Sequence, residues 1–252
     1  MKLEKNLVST GYWLFRWRSY FPIILVLIFI PAMIDYGFVE GSREMTTNWG
    51  IFCLIIGLIG LFFRILVVGF TPQNTSGRNT REQIADVLNT TRWYSVVRHP
   101  LYLGNYLMGL GISLFPFDLW LPVVYSFSFA LYYERIMLAE EDFLSEKFGE
   151  TFEKWSKETP SFFPNFSKWN GPTLEFSFKN ILRREYSSFF ALIICFTILD
   201  LIGNFLVAGR LYIVPLWMNL IWISSSTYLI FRTLKRYTKI LDVKGRCFNK
   251  FY

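Results

Sequence analysis

Apolar residues along the chain collect into six stretches, at 20–38, 49–70, 101–117, 119–138, 188–208 and 211–231. Each is close to the roughly 20 residues that a bilayer-crossing helix needs. The pattern predicts an all-α, polytopic integral membrane protein of about six transmembrane helices, forming a single domain over 1–252. Pro116-Phe117-Asp118 alone separates the third and fourth stretches, and Ala208-Gly209-Arg210 the last two. Connections this short, with turn-forming residues in them, predict two antiparallel hairpins. Arg98-His99-Pro100-Leu101-Tyr102-Leu103-Gly104 stands where a charged segment runs into an apolar one, and it contains the only histidine. Proline suits the first helical turn and biases its predecessor away from helix, so a helix should start near Pro100 with Arg98 and His99 at its mouth. Such a mouth is suited to an anionic group.

Composition supports the membrane assignment, since 53% of the residues are hydrophobic and 20% aromatic, too apolar for an ordinary soluble domain. The formal charge of +7 is scattered over many segments. That distribution fits anionic headgroups of a bilayer and argues against a nucleic-acid partner. Lys2, Lys5, Arg16 and Arg18 precede the first stretch, Arg78, Arg81, Arg92 and Arg98 fill the second connection, and the fourth connection and the tail are also basic. By the positive-inside rule both termini and the loops 71–99 and 139–187 are cytoplasmic. Cys53, Cys195 and Cys247 show no metal-type spacing, so neither a disulfide framework nor a metal site is expected. The first apolar stretch lacks a short core followed by a small-residue cleavage site and is expected to be retained.

A second polar group, Glu140-Glu141, closes the fourth apolar stretch. On an unbroken helix, Leu144, Phe148, Phe152 and Trp155 form an apolar stripe, with Asp142, Glu146, Lys147, Glu150, Glu153 and Lys154 on the opposite arc. Glu141 projects into the stripe and Glu140 lies at its edge, whereas Asp142 turns toward solvent. A carboxylate on the buried side of an interfacial helix is costly without a cation or several donors, so Glu141 requires a partner. Taken singly, each signal has a plainer reading. His99 could be a capping or core histidine, the glutamates a solvated helix end, and Arg64 and Arg135 snorkelling side chains rather than anion ligands in a pocket. Gly109 and Gly111 read most simply as sites of close helix packing.

Together, Arg98-His99-Pro100-Leu101-Tyr102-Leu103-Gly104 and Glu140-Glu141-x-x-Leu144-x-x-x-Phe148-Gly149, ending at Thr159-Pro160 and Pro164, resemble the isoprenylcysteine carboxyl methyltransferase and phospholipid methyltransferase superfamily. The resemblance covers residues 90–165. It implies S-adenosylmethionine as cofactor, bound on the cytosolic side, and a membrane lipid or lipidated substrate as acceptor. Carried over by position, it makes His99, Pro100, Tyr102 and Gly104 the lining of the cofactor pocket and sets Glu140 and Glu141 against the cofactor's polar end. The segment 78–104 is similar to bacterial members that methylate a lipid A phosphate, which implies a bacterial inner membrane. Phe152 and Trp155 stand where tyrosines are common, and the hairpin 188–231 is additional to the family plan.

The residues agree with that chemistry. S-adenosylmethionine presents an ammonium to a carboxylate such as Glu141, and a carboxylate to donors near Arg98. Methyl displacement depends on alignment and exclusion of water. An acceptor that is already an anion needs no strong base, only a cation to position it, and Arg98, Arg64 and Arg135 are the catalytic candidates for that task. Two other classes compete. NADPH-dependent sterol-reductase-like proteins have a related histidine-proline-tyrosine-glycine segment, but an acidic residue is expected after its glycine, where this chain has Asn105. A transporter or scaffold is disfavoured by the gathering of polar residues at one face rather than along a path.

Overall fold

The computed structural model describes residues 2–18, 20–72, 83–171 and 174–243; the 78–82 portion of the lipid A-type resemblance, with its arginines at 78 and 81, and Cys247 lie outside them. Among the described residues the secondary structure is entirely helical. The helices are α1 Lys2–Trp17, α2 Phe21–Ile34, α3 Arg43–Val68, α4 Trp93–Val96, α5 Pro100–Leu114, α6 Trp120–Phe148, α7 Glu150–Glu158, α8 Phe178–Ala208 and α9 Pro215–Tyr237. Short 3-10 turns occur at Val39–Gly41 and Phe166–Lys168.

Each of the six apolar stretches coincides with a helix, namely α2, α3, α5, α6, α8 and α9. Of these, α3 and α8 are long and apolar enough to cross a membrane. The 14 residues of α2 and 15 of α5 extend only about 21–23 Å at 1.5 Å per residue, short of the roughly 30 Å hydrocarbon core.

Two helices depart from the sequence reading. The N-terminal basic segment, expected as a simple lead-in, forms α1, which buries Gly11 and Phe15 against α6. A Cβ on Gly11 would lie 2.9 Å from Ala139 Cβ, so the two helices touch almost backbone to backbone. The helix expected to continue from Glu140 through Trp155 breaks at Gly149, whose φ of 52° is open to glycine at little cost. The aromatic stripe is thereby divided between α6 and α7.

The connections sort to two ends of the helical array. At one end Trp49 Nε1 donates to Leu114 O at 2.9 Å, Arg43 pairs with Asp200, and Asn204 Nδ2 donates to Tyr212 O at 2.9 Å. At the other, Ser177 N donates to Gly69 O at 2.9 Å and Asn180 Nδ2 to Val68 O at 2.8 Å. The two long basic loops meet at this second end, where Trp93 packs edge-on against Phe166 and Trp169. Near the first end, the core is a cluster of Phe115, Phe196 and Trp217, the last two stacked at 5.6 Å.

Helices α3 and α5 approach closely at several levels. A Cβ at Gly60 would lie 2.6 Å from Gly104 O, and one at Gly111 would lie 2.5 Å from Cys53 O and 2.7 Å from Gly57 N. Small residues that let backbones meet are a principal source of helix association inside a bilayer. Gly111→Ala should therefore lower stability in detergent by about 1–3 kcal/mol, since the obstructing atoms are backbone and cannot rotate away. Gly37→Ala, whose added methyl meets nothing within 4 Å, should be close to silent. Equal melting temperatures for the two variants would contradict this seam.

Candidate functional site

The site begins with a local feature of the main chain. After α4, Val97 is extended (φ −154°, ψ 137°), and the chain pairs with the segment beyond α7. Arg98 N donates to Pro160 O at 2.8 Å, His99 N to Ser161 O at 3.2 Å, and Asn165 N to Val96 O at 2.8 Å. Pro100 then opens α5 as its first residue, as the sequence predicted. His99 occupies the N-cap position, but its side chain caps nothing. The imidazole turns instead toward α6.

There the two sequence motifs meet. His99 Nε2 lies 2.9 Å from Glu141 Oε1, and His99 Nδ1 lies 3.4 Å from Glu140 Oε2. Arg98 Nε lies 2.9 Å from the same Glu141 oxygen. The Arg98 guanidinium also donates to Ser156 O at 2.6 Å and to Ser161 Oγ, tying α7 and the following loop to the cluster. Tyr102, one turn into α5, donates to Glu140 Oε1 at 2.6 Å and stacks its ring on His99. Arg18, just beyond α1, reaches to 3.8 Å from Glu140. Glu141 thus has the cationic partners its position demanded.

Electrostatics follow from this geometry. His99 is only 8% exposed, and burial alone would lower its pKa. The hydrogen bonds and charges of Glu140 and Glu141 outweigh that effect and raise it. Burial likewise works to raise Glu141, but His99 and Arg98 reverse the sign and lower it. In the cluster the imidazole and the Glu141 carboxylate each favour the other's charged form, with the Arg98 guanidinium adding to the effect on Glu141.

The remaining sequence candidates are dispersed. Gly104 lies in the α3–α5 seam, where its missing Cβ leaves room for the stem of Arg64. The Arg64 guanidinium is held by Glu185 and Asn105. Arg135 donates to Leu131 O of its own helix, and its backbone faces Gly11 of α1 rather than the His99 cluster. Asp142 is half-buried rather than solvated and accepts a 2.9 Å bond from Tyr12; the projection missed this because it did not foresee α1. Arg18 counts in the sequence only as a basic residue before the first stretch and Asn105 only as a departure from the reductase-like segment, and Tyr133 and Glu185 carry no site role there. For Glu185 the available signal was an acidic residue one turn before an apolar stretch.

The donor set suits the two charged ends of S-adenosylmethionine. Glu140 is 24% exposed and Arg18 21%, so a carboxylate and a guanidinium remain accessible beside the buried imidazole. A separate cavity of about 420 Å³ opens along α7, lined by Ser95, Lys154, Trp155, Thr159, Lys168 and Asn170 among others. It shares α7 with the Arg98 strut, but His99, Glu140 and Glu141 do not line it. Among the described residues no group of three or more His, Cys, Asp or Glu stands together as a metal site.

Stability should depend on pH with a defined shape. Folding raises His99, so its contribution is complete below the ordinary value of 6.5 and is lost as pH rises through the elevated one. Folding lowers Glu141, so its contribution is complete above 4.5 and is lost as pH falls through the depressed value. Thermal stability in detergent should form a plateau between those values, and His99→Gln should flatten the alkaline side. An unchanged alkaline fall would contradict the assignment. At the plateau, Glu141→Gln should cost about 2 kcal/mol by leaving two charged donors facing an amide, whereas Asp142→Asn should cost under about 1 kcal/mol.

Comparison with known proteins agrees with these motifs. The family model described as phospholipid methyltransferase matches residues 46–151, a segment that begins in α3, earlier than the 90–165 core read from the motifs. The cobalt-zinc-cadmium resistance protein CzcN of Cupriavidus metallidurans is 31% identical over 147 residues, covering 58% of this chain and 64% of the relative. The nickel-cobalt-cadmium resistance protein NccN of Alcaligenes xylosoxydans xylosoxydans is 26% identical over 152 residues, 60% and 64% respectively. Protein-S-isoprenylcysteine O-methyltransferase of Schizosaccharomyces pombe is 26% identical over 148 residues, 58% and 59%. The chain therefore spans less than two thirds of the length of these relatives, and no solved structure matches it. Both sequence motifs join in one cluster inside or beside the matched segment, and over that segment the chain is similar to the phospholipid and isoprenylcysteine methyltransferases.

Proposed function

We propose that the protein is a multi-pass membrane methyltransferase that uses S-adenosylmethionine to methylate an anionic group, phosphate or carboxylate, of a membrane lipid or lipidated substrate. The observation that carries this reading is the junction of Arg98 and His99 with Glu140 and Glu141 at the start of α5. In this reading the cofactor supplies an electrophilic methyl group. Glu140 and Arg18, the more accessible members of the cluster, hold its ammonium and carboxylate. His99 and Tyr102 fix Glu140, while Arg98 and His99 fix Glu141. The tyrosine and phenylalanine rings of α5 and α6 keep water from the reacting pair.

The charge balance favours an anionic oxygen acceptor. Arg18, Arg98 and His99 gather beside Glu140 and Glu141, so donors able to meet an anion stand at the site. A histidine whose pKa is raised spends more of the neutral range protonated and is a poor base for an ammonium substrate. A carboxylate or phosphate arrives already ionised. Of the three arginines considered for positioning it, Arg98 is the one in the cluster. The basic loops 71–99 and 139–187 and both termini are assigned to the cytoplasmic face. The meeting of these loops at one end of the helices supports placing them on a common side.

Vesicles containing the purified protein and methyl-labelled S-adenosylmethionine provide the test. Mass spectrometry of the extracted lipids should show a single added methyl on an acidic group, and His99→Ala should reduce transfer at least about tenfold, equivalent to about 1.4 kcal/mol. Successive methyl additions to an amine headgroup would overturn the acceptor assignment. Undiminished transfer by a folded His99→Ala variant would overturn the site.

A further inference from the structure

A second buried ionic group lies in the helices beneath the His99 cluster. Arg64 of α3 donates from Nε and Nη2 to the two oxygens of Glu185, each at 2.9 Å, in a bidentate pair. The side chains are 13% and 4% exposed. The third guanidinium nitrogen, Nη1, donates to Asn105 Oδ1. Asn105 Nδ2 then donates to Tyr133 OH at 3.3 Å, and the Tyr133 ring packs 4.5 Å from that of Tyr102. Tyr102 donates to Glu140 and stacks on His99. The stem of Arg64 lies over Gly104, so this arginine forms part of the wall behind the histidine motif.

Glu185 belongs to α8, outside the segment 46–151 that carries the family match. It closes a hydrogen-bonded and ring-packed path that runs from the additional C-terminal hairpin through α3, α5 and α6 to the candidate site. A guanidinium this deeply placed needs a counter-charge, and a bidentate carboxylate fixes its plane as well as its charge. The plane in turn decides which nitrogen meets Asn105. On the reading of the cluster as a cofactor site, we propose that Glu185 is a positioning residue. It orients Arg64 so that Asn105 and Tyr133 hold Tyr102 against Glu140, making the C-terminal hairpin a working part of the site. Arg64 then acts as a strut of the site, its charge met by Glu185 rather than by an acceptor.

The test compares S-adenosylmethionine affinity and thermal stability in the full-length protein. Glu185→Gln strands the Arg64 charge and should lower the melting temperature, so it cannot separate folding from positioning. The double variant Arg64→Met/Glu185→Leu removes both charges, and paired removal of a buried ion pair is commonly neutral for stability. We expect it to melt near wild type yet bind S-adenosylmethionine at least about tenfold more weakly, a shift of about 1.4 kcal/mol. Asp200→Asn, which breaks the buried pair with Arg43 at the opposite end, should lose stability and keep wild-type affinity. Wild-type affinity in the double variant, or failure of its stability to recover, would overturn the role of Glu185 alone. A wild-type protein that does not bind S-adenosylmethionine would overturn the cofactor reading, and the positioning role with it.

Discussion

One carboxylate oxygen, Glu141 Oε1, accepts two cations from the other motif, the imidazole of His99 and the guanidinium of Arg98. The rest of the site depends on that sharing. Each of the three groups is unfavourable in this location alone, because burial penalises its charged form. Together they form a compact hub of mutually compensating groups that fixes α5 to α6, while the far side of Arg98 holds Ser156 and Ser161. The loop after α7 is thereby brought under the histidine motif, and the pairing of residues 98–99 with 160–161 completes the floor.

This hub requires helix ends to converge at one level, and the glycines of α3 and α5 help make that possible. With Gly60, Gly104 and Gly111 in the seam, the two backbones approach closely enough for the Arg64 stem to cross Gly104. Larger residues there would part the helices and displace the arginine. Glu185 neutralises Arg64 from α8, so close packing and charge compensation operate as one arrangement. A second buried pair, Arg43 with Asp200, joins α3 to α8 at the opposite end. Helices α3 and α8 are thus held by ion pairs at two levels, and these are the two described helices long and apolar enough to cross a membrane.

Much of this was legible in the chain. Apolar run length located six helices, and Pro100 located the start of α5, because both are local properties. The demand of Glu141 for a cation was legible from its face on a helix, since burial cost does not depend on knowing the partner. Identifying that partner as His99 and Arg98, 42 and 43 residues away in sequence, required the fold. The α1 helix went unread because its apolar positions, Gly11 and Phe15 among them, are interspersed with basic residues and it is stabilised by packing on α6. The break at Gly149 was missed because helical projection ignores the left-handed freedom of glycine. Arg64 and Arg135 looked equivalent in sequence, each an arginine in an apolar run. Only packing separates them: Arg64 faces Glu185 inside the array, and Arg135 bonds to its own helix.

The most direct measurement of the central claim exploits the single histidine of the chain. With 13C-labelled histidine in detergent-solubilised protein, one imidazole resonance reports the hub alone. The account predicts that it titrates above 6.5 in the free protein, as the neighbouring glutamates require, and shifts on addition of S-adenosylmethionine. A resonance that titrates at or below 6.5 and does not respond to saturating S-adenosylmethionine would contradict it.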